Sequence, residues 1–280
     1  MPLVTLKEVL DEADKKGIAI GAFNIGNYES CKAIIDTAEE LGLPVIVQVF
    51  NRLFNDNKAR ELSFLVKGMA VDTGIPVVLH LDHGKTIEQV EKAISYGFTS
   101  VMIDGSELPF KENVKLTQKV VSIAHKEGIS VEAELGHVLP KDGAGISNFL
   151  TIPEEAKEFT EKTSIDALAV AIGTAHGHYA ETPVLDLERL KRIHSLTDVP
   201  LVLHGGSDTP IKDVQKSILY GIRKINIATE LHQVYLDELQ IQTKLHREKF
   251  SPIDVYMHPV YEMMKGLVKD KMEFFTSKIQ

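Results

Sequence analysis

At 280 residues, with 44% apolar and 25% charged side chains, the chain has the composition of a globular protein with a full hydrophobic core, and nothing in it reads as disordered. A formal net charge of −9 with no basic stripe argues against a binder of nucleic-acid backbones, yet leaves room for a small anionic ligand held by a few amides and a metal. One cysteine, Cys31, rules out an intrachain disulfide, and the absence of an apolar leader or of eighteen uncharged apolar residues in a row points to a cytoplasmic protein without membrane contact.

The chain opens with an amphipathic, charged stretch from Met1 to Gly17. Eight short apolar or β-branched runs follow: Ile18–Phe23, Pro44–Val49, Val77–Leu81, Ser100–Ile103, Ser130–Glu134, Ala167–Ala171, Pro200–Leu203 and Lys224–Ile227. They are nearly continuous in apolar character, the mark of strands covered on both faces as in parallel sheets. Helical patterns separate them. Thr86–Tyr96 places Ile87, Val90, Ala93 and Ile94 on one face, with Thr86 and Gln89 as a capping-box pair and Gly97 as the stop. Asn113–Lys126 repeats the pattern and ends at Gly128. Eight strand–helix repeats without a linker or composition break predict an α/β fold, a single-domain (β/α)8 TIM barrel over residues 1–280. A C-terminal helical extension is expected from about Asp237, including a tail helix over Pro259–Phe275.

In such a barrel the loops after the strands share one face, and function collects there. The reactive residue types fall at those strand ends: Asn24, Asp82 with His83, Asp104, Glu132 with Glu134, His176, His204 and Asn226. Taken singly, each histidine is as readily a structural one satisfied by a local carbonyl. Three of them beside glycine or polar turns, on strands that converge, fit the three protein ligands of a catalytic zinc. His125, His194 and His258 fall in helical or tail segments and read as surface residues, while His80 is two residues from Asp82 and shares its side of the strand. Asp82 reads as a proton carrier, or else as a cap on the following turn. Glu132 and Glu134 share one side of their strand, where an unpaired carboxylate calls for a metal or a cation. The turns Gly205-Gly-Ser207 and Asn226-Ile-Ala-Thr229 follow strands seven and eight, where barrels often hold phosphate; the alternative is two ordinary turns.

Six segments carry a resemblance: His80-Leu-Asp-His-Gly84, Val101-Met-Ile-Asp-Gly-Ser106, Val131-Glu-Ala-Glu-Leu-Gly136, Ala169-Val-Ala-Ile-Gly-Thr-Ala-His-Gly177, Leu203-His-Gly-Gly-Ser207 and Lys224-Ile-Asn-Ile-Ala-Thr-Glu230. In this order they resemble the class II ketose-bisphosphate aldolases over nearly the whole chain, with details around Gly177–Pro183, Ser207–Pro210 and Ile227–Leu231 more similar to the tagatose-bisphosphate branch. The resemblance implies a zinc ion at His83, His176 and His204, with Glu134 close by as an orienting group or alternative ligand; Asp104, at the end of the fourth strand, is a further candidate ligand. Another divalent metal, and an accompanying monovalent cation, stay open. It also implies Asp82 as the catalytic group at the C4 hydroxyl, and Asn24, Gly177, Gly205, Ser207, Asn226 and Thr229 around the substrate and the phosphate of dihydroxyacetone phosphate. A homodimer or homotetramer is implied, for which the apolar side of the tail helix offers an interface.

The sequence departs from the family at three places. The segment Gly136–Ser147 is shorter than the family's mobile loop and holds one acid, Asp142, as the candidate loop proton carrier, with His137 or a water as substitutes. Phe50 stands where Ser or Thr is common, and Glu107 where His is common. Three readings follow: a ketose 1,6-bisphosphate aldolase acting on tagatose or fructose; an aldolase of the same family with a different aldehyde, of the 5-dehydro-2-deoxyphosphogluconate type; or a non-catalytic phosphosugar-binding homologue.

Overall fold

The computed structural model describes residues 3–136, 150–175, 177, 182–248 and 250–277. After a first helix α1 (Leu6–Lys16), the strands β1 (Ile20–Asn24), β2 (Val45–Phe50), β3 (Val77–Gly84), β4 (Ser100–Ile103), β5 (Ser130–Leu135), β6 (Ala167–Val170), β7 (Leu201–Leu203) and β8 (Ile222–Ile227) follow in order. Between them run α2 (Tyr28–Leu41), α3 (Lys58–Asp72), α4 (Ile87–Tyr96), α5 (Phe110–Ala124), α6 (Pro153–Thr163), α7 (Leu187–Leu196) and α8 (Ile211–Leu219), with α9 (Thr229–Leu245) and α10 (Ile253–Thr276) after the last strand. Each strand pairs in parallel with the next, and β8 pairs with β1, closing the barrel. The (β/α)8 architecture predicted from the repeat pattern is the one observed.

Two cores result from strand alternation. Val47 and Val49, Leu79 and Leu81, and Val101 and Ile103 point outward onto the helices. The opposite side chains, Ile20, Ala22, Ile46, Val78, Met102, Ala167, Ala169 and Val202, fill the lower barrel, where they meet Leu6, Val9, Leu10 and Ala13 of α1. The charged N-terminal stretch is therefore a plug. Thr5 caps it in a reciprocal box with Glu8, and Gly17 closes it in the left-handed region. The Lys7 amide donates to Ser130 Oγ at 3.0 Å, and Arg223 Nε donates to Asp14 Oδ1 at 2.6 Å, tying α1 to β5 and β8. Leu10 is fully buried in this plug. Leu10→Ala is expected to cost about 2–5 kcal/mol, the range for emptying a leucine site in a packed core. A denaturant midpoint that did not move would show that α1 does not close the barrel.

Element boundaries moved for local reasons. Ile18 does not start β1, because its amide bonds back to Ala13 O at 3.1 Å as part of the α1 stop. Thr86 caps α4 by accepting from the Gln89 amide at 3.2 Å, but Gln89 reaches the Lys85 amide at 2.8 Å instead of completing the box on Thr86. Pro109 lets α5 begin at Phe110, before the expected Asn113. The chain is helical from Thr229 onward and runs through Asp237 without a break, so the last barrel helix and the start of the extension are one piece. Val260, Met264, Val268, Met272 and Phe275 of α10 are buried, and the helix packs against α2 and α9. The apolar side of the tail is thus covered by the chain itself. Among the described residues no helix is long and apolar enough to cross a membrane.

Candidate active site

Adjacent residues on a regular strand face opposite ways, so an unbroken β3 would aim Asp82 and His83 apart. The pairing of β3 with β4 shifts register between Leu81 and Gly84, and His83 takes φ 107°, a conformation side chains other than glycine rarely adopt. This bulge turns His83 back over the mouth, where its ring centroid lies 4.7 Å from that of His204. Holding such a backbone costs on the order of 1–3 kcal/mol and persists only where neighbours enforce it. One of them is Asn51, whose Nδ2 donates to the His83 carbonyl at 2.5 Å.

Above the apolar plug lies a layer of buried charge. Glu132, Lys224, His80 and His204 are all completely buried. Lys224 Nζ sits 2.8 Å from Glu132 Oε2, and His80 Nε2 lies 3.6 Å from the same oxygen. His80 Nδ1 pairs with Ser100 Oγ at 2.8 Å. Burial, with help from Lys224, pushes the His80 imidazole down to about 3, so it is neutral. Burial would raise the Glu132 carboxyl, but Lys224 and His204 outweigh it and hold the group well below the usual carboxylate range. The other Glu132 oxygen meets His204 Nε2 at 2.9 Å. An ionised carboxylate only accepts, so Nε2 carries the proton and Nδ1, 3.7 Å from Glu134 Oε2, presents its lone pair.

His83, Glu134 and His204 each bring one ligand atom into a set mutually within 4.8 Å. Two imidazoles and a carboxylate are a donor set that suits a divalent cation such as zinc. The electrostatics fit as well. Burial would lower the His83 imidazole, yet Asp82, Asp104 and Glu134 around it push it up to about 9, so the pocket favours positive charge. Asp104 supports His83 rather than joining that set. Its Oδ2 takes His83 Nδ1 at 3.1 Å and Lys85 Nζ at 2.6 Å, and its Oδ1 takes Ser106 Oγ at 2.7 Å. His176, the remaining imidazole expected at this centre, lies outside the described residues, as do Asp142 and His137.

Asp82 stands at the edge of this group, its Oδ1 3.7 Å from His83 Nε2. Asn24 Nδ2 donates to Oδ2 at 2.8 Å and Asn226 Nδ2 to Oδ1 at 3.3 Å. Gln48 Nε2 in turn donates to Asn24 Oδ1 at 3.0 Å and so fixes the Asn24 amide. Burial works against the charge on Asp82, but the positive potential of His83, His204 and Lys224 with the Asn24 bond lowers its pKa overall. The carboxylate is therefore a buried, oriented base.

The turns after β7 and β8 are joined. The Gly206 amide donates to Asn226 O at 3.1 Å, and a Cβ on Gly206 would stand 2.6 Å from the Ile225 side chain, so only glycine allows this approach. Ser207 is buried, and its Oγ accepts from the Glu230 amide at 3.3 Å, beside Thr229 in the first turn of α9. Gly205 and Gly177 both have positive φ. Glu107 is exposed on the β4–α5 connection. Lys224 and Gln48 escaped the sequence reading. Both had a signal: each is a polar residue within a strand, two residues from Asn226 or Phe50 and so on the same inward side.

The family described as fructose-bisphosphate aldolase class-II matches residues 4–280. A fructose-bisphosphate aldolase of Staphylococcus aureus is 42% identical, the match covering 99% of each chain. Among solved structures, the YdjI aldolase of Escherichia coli K12 superposes with a TM-score of 0.87 at 35% identity, covering 98% of this chain and 97% of that one. A putative fructose-1,6-bisphosphate aldolase of Coccidioides immitis gives 0.85 at 30% identity, covering 96% and 95%. Barrel, mouth and motifs agree with these likenesses, and the chain belongs to the class II fructose-bisphosphate aldolase family of carbon–carbon lyases.

Proposed function

We propose that the protein is a zinc-dependent aldolase that cleaves a ketose 1,6-bisphosphate, fructose or tagatose, reversibly to dihydroxyacetone phosphate and glyceraldehyde 3-phosphate. The observation that carries this reading is the meeting of the oriented Asp82 carboxylate with the His83, Glu134 and His204 donor set at one mouth. A divalent cation held by these three, with His176 as a further candidate ligand, supplies Lewis-acid stabilisation for the negative charge left when the C3–C4 bond breaks. Asp82 takes the C4-hydroxyl proton in cleavage and returns it to the aldehyde oxygen in condensation. Asn24 and Asn226 aim the carboxylate, and Glu132 fixes the tautomer of His204. Gly177, Gly205, Ser207, Asn226 and Thr229 surround the phosphate of the three-carbon ketone half. The proton exchanged at carbon is assigned to Asp142, with His137 or a water as substitutes. The phenyl ring of Phe50 at the mouth supports a second reading, the same half-reaction with a different aldehyde. A cytoplasmic homodimer or homotetramer fits the exposed Leu245, Phe250 and Ile253 at the α9–α10 corner.

Purified protein supplied with zinc is expected to cleave fructose or tagatose 1,6-bisphosphate and to exchange a carbon-bound proton of dihydroxyacetone phosphate with solvent. Chelation should abolish both and zinc should restore them. His204→Ala should weaken zinc binding by more than the roughly 10- to 100-fold typical of losing a supporting partner of a ligand. Unchanged metal affinity in that variant would remove His204 from the centre. Phosphosugar binding without exchange or cleavage would leave a non-catalytic homologue.

A further inference from the structure

The turn after β2 carries a cation that none of the roles above uses. Asn51–Phe54 form a single 3-10 turn, anchored at one end by the Asn51 bond to the His83 carbonyl and at the other by buried Phe54, which packs on Tyr96 and Phe98. Between these anchors Arg52 is exposed, and its guanidinium carbon lies 3.8 Å from the centroid of the Phe50 ring. Phe50 shares the inward side of β2 with Ile46 and Gln48 and is in register with Asp82. Its ring meets His232 edge-on at 5.8 Å, and His232 Nε2 bonds the Asn24 carbonyl at 3.1 Å. The positive group is thereby held on an aromatic platform at the rim, one layer above the residues that grip Asp82.

An exposed arginine is held by a carboxylate, by an aromatic face or by water alone. Among the described residues Arg52 has no acidic partner within ion-pair distance, although the chain carries 40 Asp and Glu. Its neighbours are a phenyl face and His232, an imidazole kept below its ordinary value first by burial and further by the Arg52 charge, so they do not neutralise it. Stacking on Phe50 restricts the planar fork while leaving its N–H donors in the guanidinium plane, the arrangement that suits two-point recognition of phosphate or carboxylate oxygens. The location decides which end of a substrate it serves. Phe50 is the residue in register with Asp82, the group assigned to the C4 hydroxyl, whereas β1 separates β2 from β8 and the joined turns after β7 and β8, so the Phe50 side of the mouth is left for the aldehyde half of the molecule.

We propose that Arg52, seated on Phe50, is the specificity-determining group for an anionic terminus, phosphate or carboxylate, on the aldehyde half of the substrate. This rests on the aldolase reading and adds to it a selection rule: charged aldehydes are preferred over neutral ones of the same length. It also gives the aromatic residue at position 50 a purpose, since a hydroxyl side chain there would not support the guanidinium.

The test is condensation of dihydroxyacetone phosphate, in the zinc-loaded protein, with three three-carbon aldehydes: glyceraldehyde 3-phosphate, malonate semialdehyde and neutral glyceraldehyde. In the wild type, kcat/KM should favour one of the charged aldehydes over the neutral one, and the favoured charge identifies phosphate or carboxylate as the terminus. In Arg52→Gln that preference ratio should fall about 10- to 100-fold, the size of a lost hydrogen bond to a charged group. Arg52→Lys should restore part of it, and Phe50→Leu should weaken it while keeping the charge. A ratio within about twofold of wild type in Arg52→Gln, or an equal loss on all three aldehydes, overturns the assignment. If the wild type neither condenses any aldehyde nor exchanges the ketone's proton, the aldolase reading itself fails; exchange and condensation with an unaltered ratio defeat only the role of Arg52.

Discussion

Replacing Asp82 by Asn should lower the cleavage rate by about two to four orders of magnitude, the range for a lost general base, while zinc stoichiometry stays at the wild-type value. The separation of these readouts follows from geometry. Asp82 lies outside the set formed by His83, Glu134 and His204, so the metal centre keeps its donors. The base itself is specified by its two amides: Asn24 and Asn226 each donate to a different oxygen of the carboxylate, which leaves an ionised group as the partner that satisfies both. An asparagine at position 82 presents one oxygen and one NH2, so one of the two amides must face a donor and turn away. Asp82→Ala removes that conflict and should show the same loss. Proton exchange on dihydroxyacetone phosphate does not involve the C4 hydroxyl, so it should fall much less than cleavage. If exchange and cleavage collapsed together in both variants with zinc retained, Asp82 would belong to the ketone half and its assignment here would be wrong.

The second large effect is expected on stability. Lys224→Met leaves the Glu132 carboxylate completely buried without its cation, and breaking a buried pair from one side costs about 3–5 kcal/mol. Denaturant unfolding of the zinc-loaded protein measures it. The double variant Lys224→Met with Glu132→Gln removes both charges and should recover at least half of the loss, because the penalty comes from the orphaned carboxylate. It should not recover full zinc affinity, since the neutral amide that replaces the carboxylate offers His204 Nε2 a weaker acceptor. A single-variant cost under about 1 kcal/mol would mean that water or a shifted side chain already compensates Glu132.

The fold was legible because the strands are covered on both faces and therefore read as apolar runs, and because helix stops such as Gly97 and Gly128 carry their own chemistry. Asp104, Glu134, His204 and Asn226 were placed correctly at strand ends by the same logic. What the pattern did not reveal depends on contacts between distant segments. Nothing local says that α1 folds under the barrel rather than beside it, since an amphipathic helix buries the same stripe either way. The β3 bulge is equally silent: Asp82-His83 reads as two residues on opposite faces until the shifted pairing with β4 and the Asn51 bond turn one of them. The demand for a cation near Glu132 was readable from the strand period, but its source, Lys224 three strands around the barrel, was not. Arg52 was invisible for a different reason, because an arginine in a turn looks like solvent-exposed surface until the ring beneath it is located.

The helix beneath the barrel has a further consequence for traffic. With α1 packed into the lower end, the buried quartet of His80, Glu132, His204 and Lys224 lies, among the described residues, between that plug and the mouth that holds Asp82 and His83. The solvent proton that exchanges onto a bound ketone therefore arrives from the mouth side, past the substrate, and not through the floor of the barrel.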